Sequence, residues 1–281
     1  MIRTGSFLLV AWILSCGVAQ GSEVRDLLYY DGPDRDDQKH RLDLYLPDSK
    51  SPVPVLMFIH GGGWQLGDRW QYSLLGRQMA KRGFAFAAIS YRLSPAVKHP
   101  EHIKDCARAF AWLYRNVAKY GGDPQQMFVM GHSAGGHLTA LLALDSTWIE
   151  AEGVPAGTIR GAIPISGVLE VPDPGKEPKS SRNMFQNAFG QNRAVRREAN
   201  PINHLKGSKV PLLVITELFD PGLLRPWMYV FRKEARRQGR TDIQYMNAAR
   251  GHFTIIVLMI RRCDPVQERV VDFIRTHTEA R

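Results

Sequence analysis

Several features that would point to a cross-linked, membrane-spanning or nucleic-acid-binding protein are scarce in this chain. Only three of its 281 residues are cysteine, at positions 16, 106 and 263, which excludes a disulfide-stapled scaffold. Cys16 falls in an N-terminal segment read below as removed or lipidated. The body then keeps Cys106 and Cys263, expected as two separate buried thiols, with a bridge between them the alternative that an oxidising compartment permits. The N-terminal apolar run from Phe7 to Leu14 is far shorter than the roughly 20 apolar residues that span a bilayer as a helix, so no transmembrane anchor is expected. No internal repeat or low-complexity tract marks a solenoid or a linker. Acidic residues are outnumbered 27 to 37, leaving a net charge of +10. The excess is scattered, with short clusters at 193–197, 232–240 and 261–262 and no DNA-binding or RNA-binding motif beside them. A solvated basic surface without a nucleic-acid partner is the reading. No second histidine or carboxylate stands at ligand spacing from His132 or His137, so both are read as packing or hydrogen-bonding residues and no metal is called for.

The first residues are organised. Arg3, the apolar Phe7–Leu14 and the small residues Gly17-Val18-Ala19 have the order of a charged region, a hydrophobic region and a cleavage site, which predicts a signal peptide over 1–19 and export to the periplasm or the extracellular space. Ile13-Leu14-Ser15-Cys16 also resembles a lipobox, which makes lipid anchoring through Cys16 the alternative. With 44% hydrophobic residues, the remaining 20–281 can bury a full core as a single domain.

Apolar segments bounded by Gly, Pro and Asp predict strands at Arg41–Leu46, Val53–Ile59, Phe84–Ser90, Met127–Gly131, Ile159–Ser166, Pro211–Thr216 and Ile243–Asn247. Helical periodicity predicts Tyr72–Lys81, Glu101–Tyr120, Ala134–Leu144, Trp227–Gln238 and one last helix over Thr254–His277. Gly121-Gly122 followed by Asp123-Pro124 stops the second of these. Alternating strands and helices indicate an α/β fold with a mostly parallel central sheet and helices on both faces, because right-handed crossovers return each helix over the sheet. Periodicity fails over about 168–206, where Pro172, Pro174 and Pro178 alternate with charges. This stretch is read as a small lid insertion.

The chemistry concentrates in two motifs. Gly131-His132-Ser133-Ala134-Gly135 is a G-x-S-x-G pentapeptide between a predicted strand and a predicted helix, the context in which a tight turn exposes a serine oxygen to a base. His60-Gly61-Gly62-Gly63-Trp64 follows another strand. Its glycines let the backbone approach a ligand, so the N–H groups of Gly62 and Gly63 are expected to join that of Ala134 as an oxyanion hole. His60 is read as shaping the loop.

A serine nucleophile on this scaffold takes its acid and then its histidine later in the chain. Asp220, after the strand Pro211–Thr216, and His252, after Ile243–Asn247, meet that order. His252 is assigned as the base and Asp220 as the carboxylate that fixes its tautomer. Glu217, Asp242 and Asp264 remain alternatives for the acid. His204 precedes the acid and His277 sits near the chain end, which disfavours both as bases.

Together with Ser90-Tyr91-Arg92-Leu93, Gly121-Gly122-Asp123-Pro124, Asp220-Pro221 and His252-Phe253, these motifs resemble the esterase branch of the α/β hydrolases. Within it the chain resembles hormone-sensitive-lipase-like carboxylesterases and bacterial feruloyl esterases. The resemblance implies a cofactor-free Ser-His-Asp carboxylesterase acting on small-molecule or polymer-linked short-chain or aryl esters. Kynurenine formamidases share the glycine loop and the serine motif, but Gly63 stands where they often place an aromatic residue. A catalytically silent binding protein on the same fold is the rival from another class. The polar 168–200 segment is unlike the apolar lid expected of an interfacial lipase.

Overall fold

Continuous apolar runs become strands covered on both faces, and runs with one polar side become edges. The computed structural model describes residues 21–219 and 225–279. Its strands are β1 (Glu23–Leu28), β2 (Arg41–Tyr45), β3 (Val53–Ile59), β4 (Ala85–Ile89), β5 (Gly122–His132), β6 (Ile159–Ile165), β7 (Leu212–Glu217) and β8 (Ile243–Ala248). They form one sheet in the order β1-β2-β4-β3-β5-β6-β7-β8. β1 pairs antiparallel with β2, and β2 antiparallel with β4; every later pairing is parallel. The sheet is mostly parallel, as the alternation of elements predicts, and the chain has the α/β-hydrolase fold.

Strand order reverses beside β3. The chain leaves β3 for β4 on one side and then crosses to β5 on the other, so loops from adjacent strands diverge at their carboxyl ends and open a crevice there. The glycine loop follows β3 and the serine motif follows β5, which places both at this crevice.

Helices α1 (Ser73–Lys81), α2 (Glu101–Asn116), α3 (Ala134–Leu144), α4 (Thr147–Ala151), α5 (Arg182–Phe189), α6 (Arg193–Glu198), α7 (Arg225–Arg237), α8 (Thr254–Val257) and α9 (Pro265–Glu279) complete the described chain. Alternate residues of β3 serve opposite faces of the sheet. Val55, Met57 and Ile59 pack with α2 and α3, whereas Leu56 and Phe58 pack with α1 and α9. Every residue of α3 is buried, which suits an apolar helix enclosed between sheet and insertion.

Four local expectations are corrected. Glu23–Leu28, unassigned in the sequence, adds the edge strand β1; none of its residues is buried, so its strand character comes from pairing with β2. The strand expected from Met127 begins at Gly122, with a register shift opposite Pro54 and Val55. The single helix expected over Thr254–His277 is two helices separated by a 3-10 turn at Leu258–Ile260. The break has local causes. Cys263 is left-handed at φ 61°, and Pro265 starts α9 while Asp264 Oδ1 accepts the N–H groups of Val266 and Gln267, both at 3.0 Å. Finally, Cys106 is buried but Cys263 is exposed, and both are free thiols. The leader expected over 1–19, with Cys16, lies outside the described residues. Among the described residues no helix is long and apolar enough to cross a membrane.

Histidine burial makes the fold sensitive to acid. Burial lowers the imidazole of His99 to about 3 and those of His60, His102, His132 and His137 to about 4. The folded state therefore refuses protons that the unfolded chain accepts between about pH 6.5 and 4, so stability is level above that window and falls with pH inside it. One such ring costs about 2 kcal/mol at pH 5, and the five together are expected to lower Tm by about 10 °C or more between pH 7 and 5. Scanning fluorimetry across that range checks this; a Tm constant to a few degrees would show that these rings are not excluded from protonation.

Candidate active site

Ser133 sits between β5 and α3 with φ 56° and ψ −118°, a conformation an L-residue adopts only where its surroundings enforce it. Missing side chains do the enforcing. A Cβ on Gly131 would lie 2.4 Å from the Gly135 carbonyl oxygen, and one on Gly135 would lie 2.0 Å from that of Ile59. The strand end and the first turn of α3 thus fold directly onto each other and onto β3. The Ser133 N–H donates to Ile165 O at 2.9 Å, tying the turn to β6.

The structure brings His252, expected as the base, beside Ser133. His252 Nε2 is 3.0 Å from Ser133 Oγ, and His252 Nδ1 is 2.7 Å from Glu217 Oε1. With Nδ1–H donating to Glu217, the Nε2 lone pair is free to accept the serine proton. The His132 ring donates from Nε2 to the His252 carbonyl at 2.8 Å, and burial keeps that ring neutral. His132 therefore holds the backbone of the base, within the hydrogen-bonding role expected of it.

Among the described residues the carboxylate at His252 Nδ1 is Glu217, where Asp220 was expected. Asp220 lies outside the described residues; His252 Nδ1 carries a single hydrogen, and Glu217 takes it. Glu217 ends β7 and is buried, while Ser166, just past β6, donates its hydroxyl to Oε2. Burial raises the Glu217 carboxyl, but hydrogen bonds from His252, Ser166 and its own N–H outweigh this and hold it below the usual carboxylate range. A signal for Glu217 existed in the sequence: a carboxylate ending a mostly apolar strand is buried and needs a partner. Asp264, the other acid named as an alternative, is engaged with Arg250 and the start of α9, and Asp242 with Arg240 at 2.7 Å.

The glycine loop is built to a left-handed path. Gly62, Gly63 and Trp64 have φ of 116°, 61° and 60°, and the N–H groups of Gln65 and Leu66 close a turn on Gly62 O. Gly61 has no room for a side chain, since a Cβ there would sit 2.9 Å from the His132 carbonyl oxygen and 3.2 Å from Ser133 Cβ. No acceptor among the described residues takes the N–H of Gly62 or Gly63, and Ala134 opens α3, where N–H groups lack intrahelical partners. Trp64 anchors the loop: its Nε1–H donates to His137 Nδ1 at 3.3 Å, and His137 Nε2–H donates to Ala199 O at 2.7 Å. His60 stacks on Tyr91, whose hydroxyl donates to His60 O at 3.1 Å, which bears out a loop-shaping part for His60.

The stretch between β6 and β7 is not loop alone but carries α5 and α6. Phe189 packs on Trp64 at 4.8 Å, and Asn187 Nδ2 donates to Gln65 Oε1 at 2.8 Å, so α5 is fastened to the glycine loop. Arg196, buried in α6, binds the Gly190 and Pro172 carbonyls and pairs with Glu177 at 2.7 Å. Among the described residues no cluster of three or more His, Cys, Asp or Glu forms a metal site.

The profile of the BD-FAE family matches residues 42–222. The chain is 28% identical to Esterase LipQ of Mycobacterium tuberculosis over 84% of its own length and 59% of that protein, and 33% identical to Esterase LipC of the same organism over 69% and 51%. It is 38% identical over 46% of its length to a probable isoprenylcysteine alpha-carbonyl methylesterase ICME of Oryza sativa, spanning 30% of that protein. The chain thus spans less than two thirds of these curated relatives. Among solved structures, esterase B of Lactobacillus rhamnosis superposes with a TM-score of 0.75 at 22% identity, covering 92% of this chain and 86% of that one. A carbohydrate esterase from gut microbiota gives 0.76 at 18% identity, over 92% and 96%. At these identities the structures speak for the fold.

A hydroxyl held by an imidazole that is itself held by a buried carboxylate is expected to react with a fluorophosphonate probe. Labelling should vanish in Ser133→Ala, slow roughly 10³- to 10⁴-fold in Glu217→Gln, and change less than a few-fold in Asp220→Asn. The reverse order for the two acid variants would return the role to Asp220.

Proposed function

The chain belongs to the BD-FAE family of α/β-hydrolase esterases, and from that premise we propose that it hydrolyses carboxylic esters with Ser133 as nucleophile, His252 as base and Glu217 as its orienting acid. The observation that carries this reading is the unbroken chain Ser133 Oγ, His252 Nε2, His252 Nδ1, Glu217 Oε1, with links of 3.0 and 2.7 Å.

In this mechanism Ser133 Oγ attacks the ester carbonyl carbon while its proton passes to His252 Nε2. Glu217, kept ionised by its hydrogen bonds, stabilises the resulting imidazolium without taking its proton. The N–H groups of Gly62, Gly63 and Ala134 receive the oxyanion, each such donor lowering the barrier by roughly 3 kcal/mol. His252 returns the proton to the leaving alcohol, and a water activated by the same ring releases the acyl group. The left-handed path of Gly62 and Gly63, with their unpaired N–H groups, supports the oxyanion assignment.

Short-chain or aryl esters are the proposed substrates. The 168–206 insertion, read as a cap, supports this, because α5 and the exposed charges around it present no apolar entrance. Export is part of the same proposal and rests on the order of residues 1–19.

The test is hydrolysis of p-nitrophenyl acetate, butyrate and octanoate, methyl ferulate and N-formylkynurenine, with Ser133→Ala beside the wild type. Acetate, butyrate or ferulate should turn over, and the variant should lose roughly 10³-fold or more in kcat. Preference for N-formylkynurenine would move the reading to an amide hydrolase. Since Glu217 is held below the usual carboxylate range, it stays ionised from pH 5 to 8. Initial rates after brief exposure to acid should therefore fall without a contribution from Glu217 and with the slope of at most one proton; a two-proton slope would place a second titrating group in the site.

A further inference from the structure

Ten large hydrophobic side chains are exposed among the described residues, and eight of them stand on segments leaving the carboxyl ends of three strands. They include Leu66 and Trp70 after β3, Phe219 after β7, and Phe253, Val257 and Ile260 after β8. Phe253 is 76% exposed, Leu66 71% and Trp70 64%, values far beyond partial burial at a pocket wall. None of the ten lies in the 168–206 insertion.

The segments are joined. The Phe219 N–H donates to Arg250 O at 3.1 Å, and the Phe253 ring meets His252 at 5.3 Å. Helix α8 runs into the turn bearing Ile260, and that turn packs against α1, just beyond Trp70. An apolar strip therefore borders the site on the side of His252, whereas soluble surfaces normally scatter such residues singly.

Its charge is one-sided. Residues 253–262 contain no acid and end in Arg261 and Arg262, both exposed and without an ion pair among the described residues. Asp68, on the β3 side, is already paired with Lys39 at 2.9 Å and Arg69 at 3.3 Å. Exposed apolar side chains beside unneutralised arginines fit an interface of acyl chains and anionic headgroups. A self-complementary contact with a second copy would bury the same arginines with no unpaired acid among the strip's described residues to meet them.

We propose that this strip docks the protein on an anionic lipid surface, with the Ser133 site opening beside it. The proposal goes beyond ester hydrolysis and does not depend on it, so Ser133→Ala protein should bind equally well.

Flotation of the full chain with vesicles of phosphatidylcholine, alone or with roughly a third phosphatidylglycerol, tests the idea. Partitioning should be about tenfold tighter or more on the anionic vesicles. Arg261→Glu with Arg262→Glu should abolish that preference, and Trp70→Ser with Val257→Ser should weaken binding to both vesicle types. Both double variants should keep wild-type Tm and fluorophosphonate labelling, which separates lost docking from lost folding. Wild-type protein that binds neither vesicle, or binding that survives both double variants, would overturn the proposal. So would a dimer by light scattering that the Trp70 and Val257 substitutions dissociate, since the strip would then belong to a second copy.

Discussion

Helix α3 begins in direct backbone contact with the carboxyl ends of two strands, and most of the site's geometry depends on that approach. Gly135 lies against the Ile59 and His60 carbonyls and Gly136 against that of Ile165. A methyl group at either position would push the helix away from the sheet. Because the helix comes so close, Ser133 must turn through a left-handed conformation, and its hydroxyl stands clear of the turn. The same approach sets the beginning of α3 beside the glycine loop, so the nucleophile and the N–H groups of Gly62 and Gly63 are placed by one packing constraint.

Around this frame the titratable groups are arranged to keep charge in one place. His60, His132 and His137 are buried and neutral, and each uses its ring to hold backbone or an anchoring side chain. Glu217 is the exception, ionised although buried, because His252, Ser166 and its own N–H supply three donors. Among these groups the one fixed anion is Glu217, and the rings of His60, His132 and His137 carry no charge. The same neutral rings also make the fold lose stability in acid.

The insertion between β6 and β7 is bound into the same construction rather than hanging over it. Trp64 is shared: its ring packs on Phe185 and Phe189 of α5, and its N–H reaches His137 on α3. Insertion, glycine loop and nucleophile helix thus meet at one side chain, so displacing α5 would disturb the glycine loop. The apolar strip from β3, β7 and β8 is set apart from these contacts.

Local signals in the sequence were enough for the parallel sheet, the serine turn, the glycine loop and His252, because each has a short-range physical mark: continuous apolar runs, glycines where a left-handed or close-packed backbone is required, and a histidine after the last strand. The edge strand β1 was not legible, since Glu23–Leu28 becomes a strand only by pairing with β2. Nor was the break before α9, where Asp264 leaves helical periodicity for a cap and an ion pair with Arg250. The contact of Glu217 with His252 depends on the β7 pairing and the Ser166 hydroxyl, and a linear order of residues carries no such distances. The sequence by itself determined the fold class and the places of the serine turn, the glycine loop and His252 along it, because backbone sterics and hydrophobic periodicity act over a few residues. Tertiary structure alone decided which described carboxylate meets His252, the neutral histidine surround and the exposed apolar strip, because each is a matter of which distant segments lie within a few ångströms of one another.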